Sequence, residues 1–208
     1  MSTKVKICGI TSVDDAELAV RCGADMIGLN FYPHSSRYVS REVAIEIRSV
    51  IPENVLCVGV FVNAERSGIE MLVESVSLDM VQFHGDETTE ELDGWNIPTI
   101  KAVRVDASKV VAAQIAEIES NYLLFDTFSA GGYGGTGVPF EWRKVAGLSE
   151  WVRARTILAG GLDPANVEQA VRAVEPWAVD VASGTEMRPG KKDFQKVEAF
   201  ITNAKSAR

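Results

Sequence analysis

The sequence predicts an α/β fold, a single (β/α)8 barrel of the TIM type, with residues 1–208 forming one domain. Three observations lead there. Eight short apolar runs rich in Val, Ile, Leu and Phe alternate with eight segments of helical period. The runs are apolar on both faces, as strands packed between a barrel interior and a coat of helices must be. Polar residues and glycines gather at the carboxyl ends of the runs, where parallel α/β folds place their reactive groups.

The elements follow in order. The run at 5–7 carries Cys8 and Gly9 to its end, and Ser12-Val13-Asp14-Asp15 then opens a helix with capping chemistry. The run at 26–31 leads into a loop with Ser35, Ser36 and Arg37, followed by a helix over 40–50 that stops before Pro52. The third run, 56–61, precedes Asn63 and a helix over 66–76. The fourth, 80–83, sets Gln82 and His84 two residues apart, so that both point the same way, and a short helix over 88–92 follows. The fifth, 99–103, leads to Arg104 and a helix over 107–119. The sixth, 122–125, delivers Asp126, and a glycine-rich loop separates it from a helix over 141–147. The seventh, 156–159, ends in Gly160-Gly161, after which Asp163-Pro164 reads as an N-cap with proline at the first helical position. The eighth, 178–181, gives Ser183-Gly184, and a helix over 193–204 completes the pattern. Eight strand–helix repeats in about 200 residues match the lower size of this barrel. A doubly wound open sheet is the competing architecture, but no G-x-G-x-x-G follows the first run.

Composition narrows the function. A hydrophobic fraction of 46% and a charged fraction of 24% are ordinary for a globular chain. The formal net charge of -8 argues against nucleic acid and anionic membrane surfaces as partners. Three cysteines, Cys8, Cys22 and Cys57, fit a reducing cytoplasm better than a disulfide scaffold. No secretory signal, membrane span or metal-ligand cluster is apparent, and His34 and His84 are the only histidines.

In a barrel all eight strand ends face one mouth, so a thiol (Cys8) and a carboxylate (Asp126) at two strand tips suggest an acid–base pair. Lys6 lies on the same side of its strand as Cys8, and a positive surrounding would promote thiolate character. Cys22 and Cys57 read as buried small hydrophobes. Gly160-Gly161 and Ser183-Gly184 sit after strands seven and eight, where such barrels frequently hold phosphate. The loop Ala130-Gly131-Gly132-Tyr133-Gly134-Gly135-Thr136-Gly137 suits a mobile lid or a backbone cradle for an anion.

The chain resembles the phosphoribosylanthranilate isomerases of tryptophan biosynthesis. The resemblance spans essentially the whole chain. It rests on Lys6-Ile7-Cys8-Gly9, Val58-Gly59-Val60-Phe61, Val81-Gln82-Phe83-His84-Gly85, Phe125-Asp126-Thr127, Gly134-Gly135-Thr136-Gly137, Leu158-Ala159-Gly160-Gly161-Leu162 and Asn166-Val167. It continues over 180–193 with Ser183-Gly184-Thr185-Glu186 and Pro189-Gly190-Lys191-Lys192-Asp193. The family's reaction is an Amadori rearrangement of N-(5-phosphoribosyl)anthranilate, with no cofactor and no metal. The resemblance implies Asp126 as general acid and Cys8 as general base. It implies Arg37 as the contact for the anthranilate carboxylate. Gly135, Gly160, Gly161, Ser183 and Gly184 would bind the phosphorylated substrate, and Gln82 and His84 would line the mouth. It implies a small-molecule partner and a monomer or homodimer. Where the family usually has proline, this chain has Ser36, a change expected to loosen the loop and the preorganisation of Arg37. Two other readings compete: a related histidine-pathway aminoaldose isomerase, which uses an aspartate in place of Cys8, and a catalytically silent phosphate-binding barrel.

Overall fold

The computed structural model describes residues 2–105, 115, 117–127 and 143–207. Eight parallel strands close a barrel: β1 (Lys4–Cys8), β2 (Met26–Asn30), β3 (Leu56–Phe61), β4 (Met80–Phe83), β5 (Thr99–Val105), β6 (Tyr122–Thr127), β7 (Thr156–Leu158) and β8 (Ala178–Val181). Each pairs with its successor, and β8 returns to β1 in a register that sets Lys6 beside Asp180. The connections carry α1 (Val13–Arg21), α2 (Arg41–Ser49), α3 (Arg66–Val76), α4 (Thr89–Leu92), α5 (Arg143–Ala146), α6 (Glu150–Arg153), α7 (Val167–Val174) and α8 (Phe194–Ser206). A short 3-10 turn (Ser183–Thr185) and a small antiparallel hairpin of β9 (Glu186–Arg188) and β10 (Lys191–Lys192) lie between β8 and α8.

The sequence builds two apolar layers. Alternate strand residues meet inside the barrel, where Met26, Val58, Met80, Ile100, Leu124 and Ile157 pack together. The intervening ones face outward and join the helices, as Ile7, Ile27, Phe83, Phe125 and Val179 do with Ile47, Val171 and Phe200. This period of two is why a single strand can hand Cys8 inward while its neighbour Ile7 supports α8.

The helix starts follow local capping chemistry. Ser12 Oγ accepts from Asp15 N at 3.3 Å and Ser40 Oγ from Val43 N at 3.3 Å. Thr88 and Glu91 close a capping box on α4. The expectation that Asp163-Pro164 starts the seventh helix is corrected. Asp163 Oδ1 accepts from Ala165 N (2.7 Å) and Asn166 N (3.0 Å), which closes a turn, and α7 begins at Val167. A short α6 was not anticipated, although Ser149 caps it. Strands β5 and β6 each run two residues further than the apolar pattern, which places Arg104 and Asp126 on strands rather than in loops. Most of the expected helix over 107–119 and all of the glycine-rich loop at 130–137, with Gly135, lie outside the described residues.

Candidate active site

The carboxyl ends of the strands surround a cavity of about 400 Å³ lined by Cys8, Asn30, Arg37, Gln82, His84 and Asp126, among others. A recess of about 50 Å³ adjoins it, walled by Asp126, Gly160, Gly161, Asp180 and Ser183. Cys8, Arg37, Gln82, His84, Asp126, Gly160, Gly161 and Ser183 therefore line one continuous mouth, whereas Asn63 and Arg104 do not. Gly184 lies directly behind the recess, where a Cβ would run into Leu162 O.

Cys8 is delivered by β1 and is nearly buried. Burial pushes its thiol above the ordinary range, and the Lys6 ammonium acts against that push. Cys57, inside β3, has its thiol pushed up to about 12 by burial, as befits a core residue.

Asp126 stands on β6 with His84 Nε2 lying 3.4 Å from its Oδ2. Gln82 Nε2 lies 2.9 Å from His84 Nδ1, so the two side chains are joined beside Asp126. The loop bearing His84 is braced from below. Lys101 Nζ, buried, donates to Glu87 Oε2 (2.6 Å) and to Gly85 O (3.0 Å). Arg104, read from the sequence as a mouth residue, braces the same loop through Asp86 Oδ1 at 3.2 Å. Asn63 does likewise, accepting from Asp86 N at 2.7 Å.

Arg37 is held more firmly than its loop sequence suggests. Its Nε and Nη2 donate to the two oxygens of Glu186, both at 2.7 Å, in a bidentate pair. The Glu186 hydrogen bond raises the guanidinium further above its already high range. Glu186 is buried, which acts to raise its pKa. The bonds from Arg37 and the charge of Lys192 outweigh this and hold the carboxyl below the usual range. The guanidinium stem lies over Gly9, where φ is +72° and a Cβ would collide with Arg37 Cδ. Ser35 Oγ accepts from Arg37 N (3.1 Å) and from Asn30 Nδ2 (3.2 Å). The loosening expected from Ser36 is thus offset by side chains of the same loop and by the β9–β10 hairpin.

The two glycines after β7 both occupy the left-handed region, with φ of +79° and +69°. Asn166 Nδ2 anchors their loop through Gly161 O at 2.8 Å. Lys192 Nζ, buried, donates to Ala182 O at 2.9 Å and Glu186 Oε1 at 3.3 Å, so the hairpin ties the arginine side of the mouth to the loop carrying Ser183.

Sequence reasoning missed Asp180, Glu186 and Lys192. Asp180 had a visible signal, a carboxylate inside an otherwise apolar run. Glu186 and Lys192 had none beyond the family resemblance: Glu186 meets Arg37 149 positions away, and Lys192 is buried only once the hairpin folds onto the mouth.

A closed parallel barrel whose mouth gathers a thiol, a carboxylate and a guanidinium beside a glycine-lined recess defines a (β/α)8-barrel enzyme acting on a small molecule. A family model, N-(5'-phosphoribosyl)anthranilate (PRA) isomerase, matches residues 5–203. A relative named N-(5'-phosphoribosyl)anthranilate isomerase, from Stutzerimonas stutzeri, is 47% identical over 203 residues, covering 97% of this chain and 96% of its own. The phosphoribosyl anthranilate isomerase of Thermus thermophilus is 34% identical with a TM-score of 0.88, covering 99% of this chain and 100% of its own. A further isomerase structure, in complex with reduced 1-(o-carboxyphenylamino)-1-deoxyribulose 5-phosphate, is 40% identical with a TM-score of 0.84, covering 98% of each chain. The chain belongs to the N-(5'-phosphoribosyl)anthranilate isomerase family.

Proposed function

We propose that Cys8 and Asp126 carry out, as general base and general acid, the rearrangement of N-(5'-phosphoribosyl)anthranilate to 1-(2-carboxyphenylamino)-1-deoxyribulose 5-phosphate. The overall reaction is that of the family, an isomerisation in tryptophan biosynthesis. The observation that carries the residue assignment is convergence: Cys8 from β1 and Asp126 from β6 face one cavity, with Arg37 and the glycine recess also on it.

Asp126 protonates the ribose ring oxygen while the nitrogen lone pair forms a C=N bond and the C1–O bond breaks. Cys8 then takes the C2 proton. The C–H electron pair becomes the C1=C2 bond, and the C=N pair returns to nitrogen. The enol hydroxyl loses its proton and C1 gains one, giving the ketone. Two positions gain a proton and two lose one, so the reaction needs no net acid or base. Acid and base must nevertheless coexist in opposite protonation states. Gln82 and His84 orient Asp126. Arg37 receives the anthranilate carboxylate on its planar guanidinium. Gly160, Gly161, Ser183 and Gly184 receive the phosphate, and Gly135 belongs to the substrate-binding set.

This reading treats 1–208 as one catalytic domain, a cytoplasmic monomer or homodimer with a small-molecule substrate. Among the described residues no helix is long and apolar enough to cross a membrane, and a net charge of -8 disfavours nucleic acid and anionic surfaces as partners. The test is loss of anthranilate fluorescence from freshly generated phosphoribosylanthranilate, with wild type and Cys8→Ala side by side. Decay with wild type alone is expected. Equal decay with Cys8→Ala overturns the base assignment.

A further inference from the structure

Lys6 heads the fully buried side chains by volume, at 0% exposure. A lysine ammonium withdrawn from water is costly unless paired, and even a good pair rarely outperforms apolar packing. The barrel does not need a charge at this level. Its neighbours in the same ladder, Val5 beside Val179 and Ile7 beside Val181, are apolar pairs. Lys6 instead donates to Asp180 Oδ1 at 2.8 Å, across a register that places the two residues side by side.

What distinguishes this level is the residue above it. Cys8 is two positions along β1 and points into the same interior. Sulfur and ammonium both lie against Gly28 of β2, where an added Cβ would stand 2.7 Å from Cys8 Sγ and 3.1 Å from Lys6 Nζ. Glycine at that point of a strand leaves the two groups free to approach each other.

We propose that Lys6 is a positioning residue for Cys8: anchored by Asp180, its ammonium is the fixed counter-charge against which the thiolate forms. The proposal rests on the reading of Cys8 as the base. Cys8 enters the step as thiolate, its proton having passed to bulk water, and leaves it as thiol carrying the substrate's C2 proton. Lys6 keeps its own protons throughout. Burial is the main influence raising the thiol's pKa, and Lys6 is the foremost influence opposing it. For Lys6 itself burial acts to lower the pKa, but Asp180 and Cys8 outweigh burial and keep the ammonium charged. The other charged or titratable groups facing the sulfur are Asp180 on β8, which opposes ionisation, Lys192 on β10 and Arg37 after β2, which favour it, and Asp126 and His84 across the cavity.

The test is the pH profile of Cys8 alkylation by iodoacetamide, read by peptide mass spectrometry on the whole protein without substrate. In Lys6→Met the profile moves to higher pH, and labelling near neutrality slows about tenfold for each unit of displacement. Lys6→Arg restores part of the reactivity, and kcat falls in Lys6→Met with little change in KM. Should Lys6→Met fail to fold, the neutral pair Lys6→Met/Asp180→Asn keeps the comparison, with a smaller upward displacement expected because the opposing charge of Asp180 is lost as well. A folded Lys6→Met whose profile matches wild type overturns the proposal and leaves Lys6 a structural residue. Undiminished turnover by Cys8→Ala removes the base assignment beneath it, a distinct result.

Discussion

Cys8, Asp126 and Arg37 come from separate segments and rest on separate supports, so each can be removed without dismantling the others. Cys8→Ala is expected to abolish turnover while circular dichroism and binding of the reduced product analogue stay close to wild type. Asp126→Asn is expected to lose kcat by about 10²–10⁴, the usual share of one acid–base group, in a steady-state assay. Arg37→Ala is expected chiefly to raise KM, because a guanidinium that grips a distant carboxylate contributes to binding before and during the reaction alike. The acid and base were legible because a thiol and a carboxylate stand at the ends of apolar runs, the position from which a barrel strand faces the mouth. Glu186 was not, since a glutamate past the last strand looks like any solvated residue until the fold brings Arg37 to it.

Among the elements, the β9–β10 hairpin does more than its few residues suggest. It supplies Glu186 to Arg37, Lys192 to Ala182 O, and Lys191 Nζ to Asp15 Oδ1 at 2.7 Å, fastening the loop after β2, the loop after β8 and α1 to one another. Removing one partner of a buried pair strands the other, so Glu186→Gln is expected to destabilise the protein by about 3 kcal/mol at pH 7. The carboxyl's folded pKa lies below its unfolded value. Its contribution is therefore present above pH 4.5 and lost as pH falls through the folded pKa. Urea midpoints of wild type and Glu186→Gln should accordingly converge as pH is lowered from 7 towards the acid range. Strands and most helix starts could be read from periodicity and caps, because both are local. The start of α7 could not, because Asp163 satisfies its own turn with the same chemistry that caps a helix.

For the molecule as a whole, stability resides in the layer between strands and helices. Phe200 of α8 is fully buried there. Phe200→Ala is expected to cost about 3–5 kcal/mol in denaturant unfolding, with catalysis by the remaining folded protein little changed. Closure itself was foreseeable from eight strand–helix repeats, the number with which this barrel closes and removes both sheet edges. The register of closure was not. Nothing local says that position 6 will meet position 180, yet that pairing decides which charge sits beneath the thiol.

That circular pairing also imposes a timetable. Lys6 and Asp180 are 174 positions apart, and Arg37 and Glu186 are 149 apart. A chain emerging from the ribosome presents its thiol and its guanidinium early, long before either anchor has been synthesised. Contacts so remote in sequence require large loops to close before they reward the chain. The working mouth therefore cannot be complete before β8 and the β9–β10 hairpin have been made, and an unfinished chain holds the reactive groups without the means to aim them.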